Sequence, residues 1–207
     1  MMGIDDMLNC KGEVGTQLVL LCLYAMLCFL ILPMLTETII KPYISKQSWK
    51  KNWTILSRNM LAKSAAVYFE TEEDAYHFAA SLGSVTFQHF IGGTLCIPSQ
   101  MPWLFPGFSK QLRSTLVGHG ALIESGWELQ DLIVRFYQLM FLGEAGRRMN
   151  PVPLVVIMVV HHAMGLTMAI PMNMYYRDSP LYHEVSVHSI YTYLFLHASF
   201  MSSSHHH

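Results

Sequence analysis

Charge is what this chain has least of. Only 13% of its 207 residues are Asp, Glu, Lys or Arg, about half the share of an average soluble domain. The few charges nearly cancel, to a net −1. No basic excess points to nucleic acid, and no acidic excess points to a solvated tail. The four cysteines, Cys10, Cys22, Cys28 and Cys96, include no CxxC pair, so neither a disulfide framework nor a zinc-ribbon site is indicated. There is no GxSxG and no P-loop. The stretch His183–His188 has four residues between its histidines where a zincin needs three. No HxxHH or HxxxH box of the membrane di-iron kind occurs, and no repeat of 20 to 50 residues. No cofactor is expected from the sequence. The terminal SSSHHH of Ser202–His207, a tag remnant or a natural low-complexity end, is set aside.

What the chain does have is apolar length. From Gly15 to Thr36 no residue is charged, which is about enough helix to cross a hydrocarbon core of ~30 Å. A cleaved signal peptide is the competing reading. It fits poorly, because Asp5, Asp6 and Glu13 are acidic where a signal begins basic, and the run is longer than the usual apolar region.

A connector from Glu37 to about Ala75 sets Lys41, Lys46, Lys50, Lys51, Arg58 and Lys63 among Tyr43, Trp49 and Trp53. Cations with amphipathic aromatics suit a membrane-water interface; a plain solvated loop is the alternative. A second span follows at about Tyr76 to Ile97. The segment Pro98 to Lys110 has three prolines and is expected to be irregular. A third apolar segment, about Arg113 to Phe141, carries Glu124, Glu128, Asp131 and Arg135; it reads as one long helix or as two broken at Gly126. Further spans are expected at about Val152 to Met174 and Val185 to Met201. The fold class is therefore all-α, a multi-pass transmembrane bundle of five or, alternatively, six spans. Five spans put the lysine-rich connector and the Arg147, Arg148 turn on one side. Residues 1–49 form an N-terminal anchor and connector, 50–201 the bundle, and 202–207 a tail.

Each helical residue turns about 100°, so positions i, i+4, i+7 and i+11 share one face. His77, Ser81, Ser84 and Gln88 have that spacing, as do Glu124, Glu128, Asp131 and Arg135, and Ser186, Ser189, Tyr193 and His197 nearly so. A charge near the bilayer centre costs about 2.5–3.5 kcal/mol on insertion scales, so such stripes face one another or a wet cavity. Asp131 and Arg135 also make an i, i+4 ion pair. His161 and His162 sit mid-span. Adjacent helical residues point about 100° apart, so no shared metal is expected from them.

The order of these motifs resembles the TLC domain family, the membrane group that includes ceramide synthases and the translocating-chain-associated membrane protein. The elements that carry the likeness are GWELQDL, with Gly126, Trp127, Asp131 and Leu132, and VVHHAMG about 30 residues on. The likeness covers about residues 50 to 200. It implies a protein of internal membranes, the endoplasmic reticulum among them, that binds or regulates membrane lipids. Glu124, Trp127, Glu128, Arg135, His77, Gln88, His89, Tyr193 and His197 would then face the lipid. If the chain is an enzyme, the resemblance implies acyl transfer from acyl-CoA to a sphingoid base or similar amine, with His161, His162 and Asp131 catalytic. The chain departs from ceramide synthases in having only Asp178 downstream of the histidine pair. That leaves the non-catalytic, lipid-handling members as the nearer likeness. Other membrane subunits are a further partner class, through close helix approach at Gly92, Gly93 and Thr94.

Overall fold

The computed structural model describes residues 4–10, 13–48, 50–65 and 68–186. All regular structure among them is helical, with no strand. Short α1 (Ile4–Leu8) precedes α2 (Val14–Leu35), which runs on through a π-helical turn, Thr36–Ile40, into α3 (Lys41–Ser45). Then come α4 (Lys50–Ala65), α5 (Glu72–Gln100), α6 (Lys110–Phe141), α7 (Gly143–Met149) and α8 (Val152–Tyr175), and residues 180–186 are again helical. The expected last span, with Ser189, Tyr193 and His197, lies outside the described residues, as do Trp49 and His205–His207.

The boundaries follow from local chemistry. Thr71 caps α5 by accepting from the Asp74 amide at 3.0 Å, and Glu72, Glu73 and Asp74 place negative charge on the positive helix end. Ser109 caps α6 by accepting from the Leu112 amide at 3.1 Å. Gly143, at φ 55°, takes the left-handed turn between α6 and α7, and prolines open α8.

Of the two readings of the third segment, the single long helix holds: α6 is unbroken at Gly126, and that glycine lies against α2, where a Cβ would meet Tyr24 Cβ at 2.6 Å and the Ala25 amide nitrogen at 2.9 Å. Two expectations are corrected. The stretch 98–110 is irregular only in part: α5 continues through Pro98 to Gln100, and Pro102–Leu104 form a 3₁₀ turn. The connector is mostly helix, and Trp53 is buried, its indole N–H donating to the Ala79 carbonyl at 3.2 Å.

Helix α6 is central, packed against α2, α5, α7 and α8. Gln17 and Ala25 of α2 lie level with Gly118 and Gly126 of α6, so these two run parallel. Cys96 and His89 of α5 meet Gly120 and Glu124, and Asn173 and His162 of α8 meet Gly118 and Asp131, so α5 and α8 run antiparallel to α6. The result is an up-down-up-down arrangement of α2, α5, α6 and α8. It gathers α3, α4 and α7 at one end, where Arg148 Nε lies 3.9 Å from Asp74 Oδ2.

Two of these segments are long and apolar enough to cross a membrane, Val14–Ser45 and Val152–Tyr175. Both are mostly uncovered by protein. Phe29, Leu30 and Met34 of α2 and Val156, Val160, Met164 and Met168 of α8 are exposed.

Candidate functional site

The bundle's polar interior is built around Asp131. The Nε of Arg135 donates to Asp131 Oδ2 at 2.6 Å, and His162 Nε2 donates to the same oxygen at 3.0 Å. Arg135 reaches onward to Asn150 Oδ1 at 3.0 Å, and Asn150 Nδ2 donates to Gln138 Oε1 at 2.8 Å. This chain of charge-assisted bonds ties α8 to α6 and to the turn after α7. Asn150 had no signature in the sequence beyond a place in the turn GEAGRRMNPVP; it is 1% exposed.

A second pair sits two turns away along α6, where His89 Nδ1 donates to Glu124 Oε2 at 2.5 Å. Trp127 stands between the two histidines. Its ring meets His89 at 5.1 Å and His162 at 5.0 Å, edge to face in both cases. The two buried glutamates each have a glycine opposite. A Cβ at Gly92 would overlap the Glu124 carboxylate, and one at Gly165 would overlap that of Glu128. Glycine there leaves room for a carboxylate between helices.

Beside this network lies a cavity of about 490 Å³. Its polar lining includes Asp131, Arg135, Gln138, Asn150 and His161, with His77, Ser81 and Ser84 from α5 and Glu37 and Lys41 beyond α2. Leu32, Val85, Trp127, Val134, Ile157 and Met158 supply apolar wall. Thr36 and Ser84 hydrogen-bond to each other across the α2–α5 seam.

The expected site residues are thus sorted. Trp127, Asp131, Arg135, His77, His89 and His161 border the cavity. His162 is fully buried behind it and borders Asp131, not the open space. The stripe on α6 fans out, Glu124 toward α5 and Glu128 toward α8, and only Asp131 and Arg135 line the cavity. Gln88 is buried outside the lining, and His77 pairs with Glu73 at 3.1 Å, half-exposed. Tyr193 and His197 lie outside the described residues.

No shared metal was expected from His161 and His162, yet among the described residues their rings approach a common third group. One ring nitrogen of each and a Glu128 carboxylate oxygen all lie within 4.8 Å of one another. The 100° between adjacent residues separates their Cβ directions, but an imidazole is long enough to converge again on a third group from another helix.

No family model, no curated protein and no solved structure matches the chain.

Proposed function

We propose that the protein is a multi-pass integral membrane protein that holds the head and upper chain of an amphipathic lipid in the cavity beside Asp131 and Arg135. The observation that carries the membrane reading is the exposure of its most apolar helices. In the most apolar windows of Val14–Ser45 and Val152–Tyr175 only 22% and 17% of residues are buried, where the core helix of a soluble protein is mostly covered. A cleaved leader fits poorly, since Leu20, Leu21, Ala25, Cys28 and Leu32 are buried and loss of α2 would strip one face of α6. Lys41, Lys46, Lys50, Lys51, Arg58, Arg147 and Arg148 all belong to the end that holds α3, α4 and α7. That bias favours the end as the cytoplasmic one.

The lipid reading rests on the lining. Glu37, Asp74 and Asp131 face Lys41 and Arg135, so no cationic excess is left for a strongly anionic head, and a zwitterionic or uncharged polar one suits the lining better. A cavity of about 490 Å³ lies within the usual span of small-ligand pockets, so the chains of a membrane lipid would extend out along the apolar wall. The resemblance to lipid-handling TLC proteins agrees with this and carries no weight beyond the two motifs. Acyl transfer is a second reading, favoured because His161 borders the same cavity. There it would take the proton of an amine attacking a thioester carbonyl, with the thiol leaving. Incubation with a sphingoid base and acyl-CoA decides it.

Lipid extraction and mass spectrometry of the washed, detergent-purified protein test the main reading. A zwitterionic or neutral lipid class should be enriched over bulk, and Arg135→Gln should lower its retention. Lipid in bulk proportions would overturn the reading.

A further inference from the structure

Among the described residues, Nδ1 of His162 and Oε2 of Glu128 are buried polar atoms beside the cavity with no hydrogen-bond partner. His162 is 0% exposed, so bulk water does not reach it, and a buried polar group without a partner is destabilising. The tautomer is fixed from the other side of the ring. Because His162 Nε2 donates its proton to Asp131, Nδ1 carries a lone pair. A histidine whose far nitrogen is held by a carboxylate is how proteins orient and strengthen an imidazole ligand for a metal. Glu128 is seated against Gly165, one turn beyond His161 on α8. The third group, His161, belongs to the same cluster.

We propose that Glu128, His161 and His162 bind a divalent first-row transition ion, Zn²⁺ being the form to test, and that Asp131 positions His162 for it. Two imidazoles and one carboxylate are a donor set that such ions take, with further coordination positions left for water or a ligand. Tetrahedral ligands at about 2.0–2.1 Å from zinc lie about 3.3 Å apart. The 4.8 Å limit on the cluster is therefore closed by modest side-chain rotation. His161 also lines the cavity, so the ion would stand at its edge. The two neighbouring carboxylates have different roles, Glu128 as ligand and Asp131 as positioning residue. This inference does not depend on the lipid reading, and either can fail without the other.

The test uses the full chain carrying His205→Ala, His206→Ala and His207→Ala, which removes a competing run of histidines, with no polyhistidine tag. The protein is stripped with chelator in detergent, equilibrated with Zn²⁺, dialysed and analysed for metal. About one ion per chain is expected from the single cluster, with affinity lowered at least about tenfold by Glu128→Gln and about 10- to 100-fold by Asp131→Asn. Glu144→Gln, on α7, should retain the ion. X-ray absorption at the zinc edge of the otherwise unaltered loaded protein should show scattering from two imidazoles, and it remains decisive if a variant does not fold. Metal no greater than in a protein-free detergent control, or a zinc spectrum without imidazole, would overturn the proposal.

Discussion

Replacing Asp131 by Asn keeps the shape of the side chain and removes its charge. Asp131 Oδ2 accepts from both Arg135 and His162, at 2.6 and 3.0 Å. An amide oxygen can still accept one of these bonds, but the guanidinium loses its counter-charge. Breaking a buried ion pair from one side costs about 3–5 kcal/mol. Arg135 and Asp131 keep 15% and 16% side-chain exposure, and Arg135 retains Asn150, so the lower end, about 3 kcal/mol, is expected. The assay is a mixed-micelle denaturation titration followed by tryptophan fluorescence. Trp127 touches His162 and reports on this layer directly. Arg135→Met in the Asp131→Asn background removes the orphaned cation. The double variant should therefore be more stable than the two single costs predict, by about 1–3 kcal/mol of coupling. Costs that add to within about 0.5 kcal/mol would refute the pair as the unit that holds this layer together.

Two further predictions concern packing and topology. Gly126→Ala drives a methyl into the backbone of α2 at Tyr24 and Ala25 and should destabilise by about 1–3 kcal/mol in the same titration. Gly15→Ala, with nothing within 4 Å of the added methyl, should be neutral or stabilising by about 0.5–1 kcal/mol, as alanine is favoured over glycine in a helix. Equal effects would show that α2 does not pack there as described. In sealed vesicles, a membrane-impermeant maleimide should label Lys51→Cys and Arg147→Cys from one side and Gln111→Cys from the other. Labelling of all three from one side would rule out the alternating path of α2, α5, α6 and α8.

Hydropathy made α2 and α8 legible because each is apolar all round, and the exposed apolar residues that produce the signal need no partner in the chain. α5 and α6 were legible less clearly. Their apolar faces alternate with buried polar ones, so only the extent and the stripe spacing showed. The stripe arithmetic placed Glu124, Glu128, Asp131 and Arg135 on one face, and they are on one side of α6. It could not show that the face is wide enough to meet two helices, with Glu124 turned to His89 and Glu128 to Gly165. In the sequence Gly126 reads either as a break or as part of one long helix, and its contact with Tyr24 shows why a glycine stands in an unbroken one. Asn150 is buried by tertiary packing alone, and nothing local marks it. The adjacency rule separates His161 from His162 at Cβ, whereas the approach of their ring nitrogens to Glu128 involves a group from α6 that the rule does not contain.

Of the four bundle helices, the one with the most charge in the interior is the least apolar around its circumference. α6 holds Glu124, Trp127, Glu128, Asp131 and Arg135 within about three turns, and three elements meet its polar groups: α5 at His89, α8 at Gly165 and His162, and the turn at Asn150. A charged helix can sit inside an apolar shell only if its neighbours meet its polar groups, because a low-dielectric surrounding makes unpaired charges costly. The apolar exteriors of α2 and α8 and the polar interior on α6 are thus one arrangement. Within it, Glu128 is the exception, a carboxylate held between glycine and imidazoles with no donor for Oε2. Every other acid on this face has found a cation or a histidine N–H. Asp131 already holds the His162 Nε2 proton, so the neutral His162 ring has only the lone pair of Nδ1 left to offer Glu128. A carboxylate oxygen and an imidazole lone pair in one buried space repel each other unless something positive stands between them.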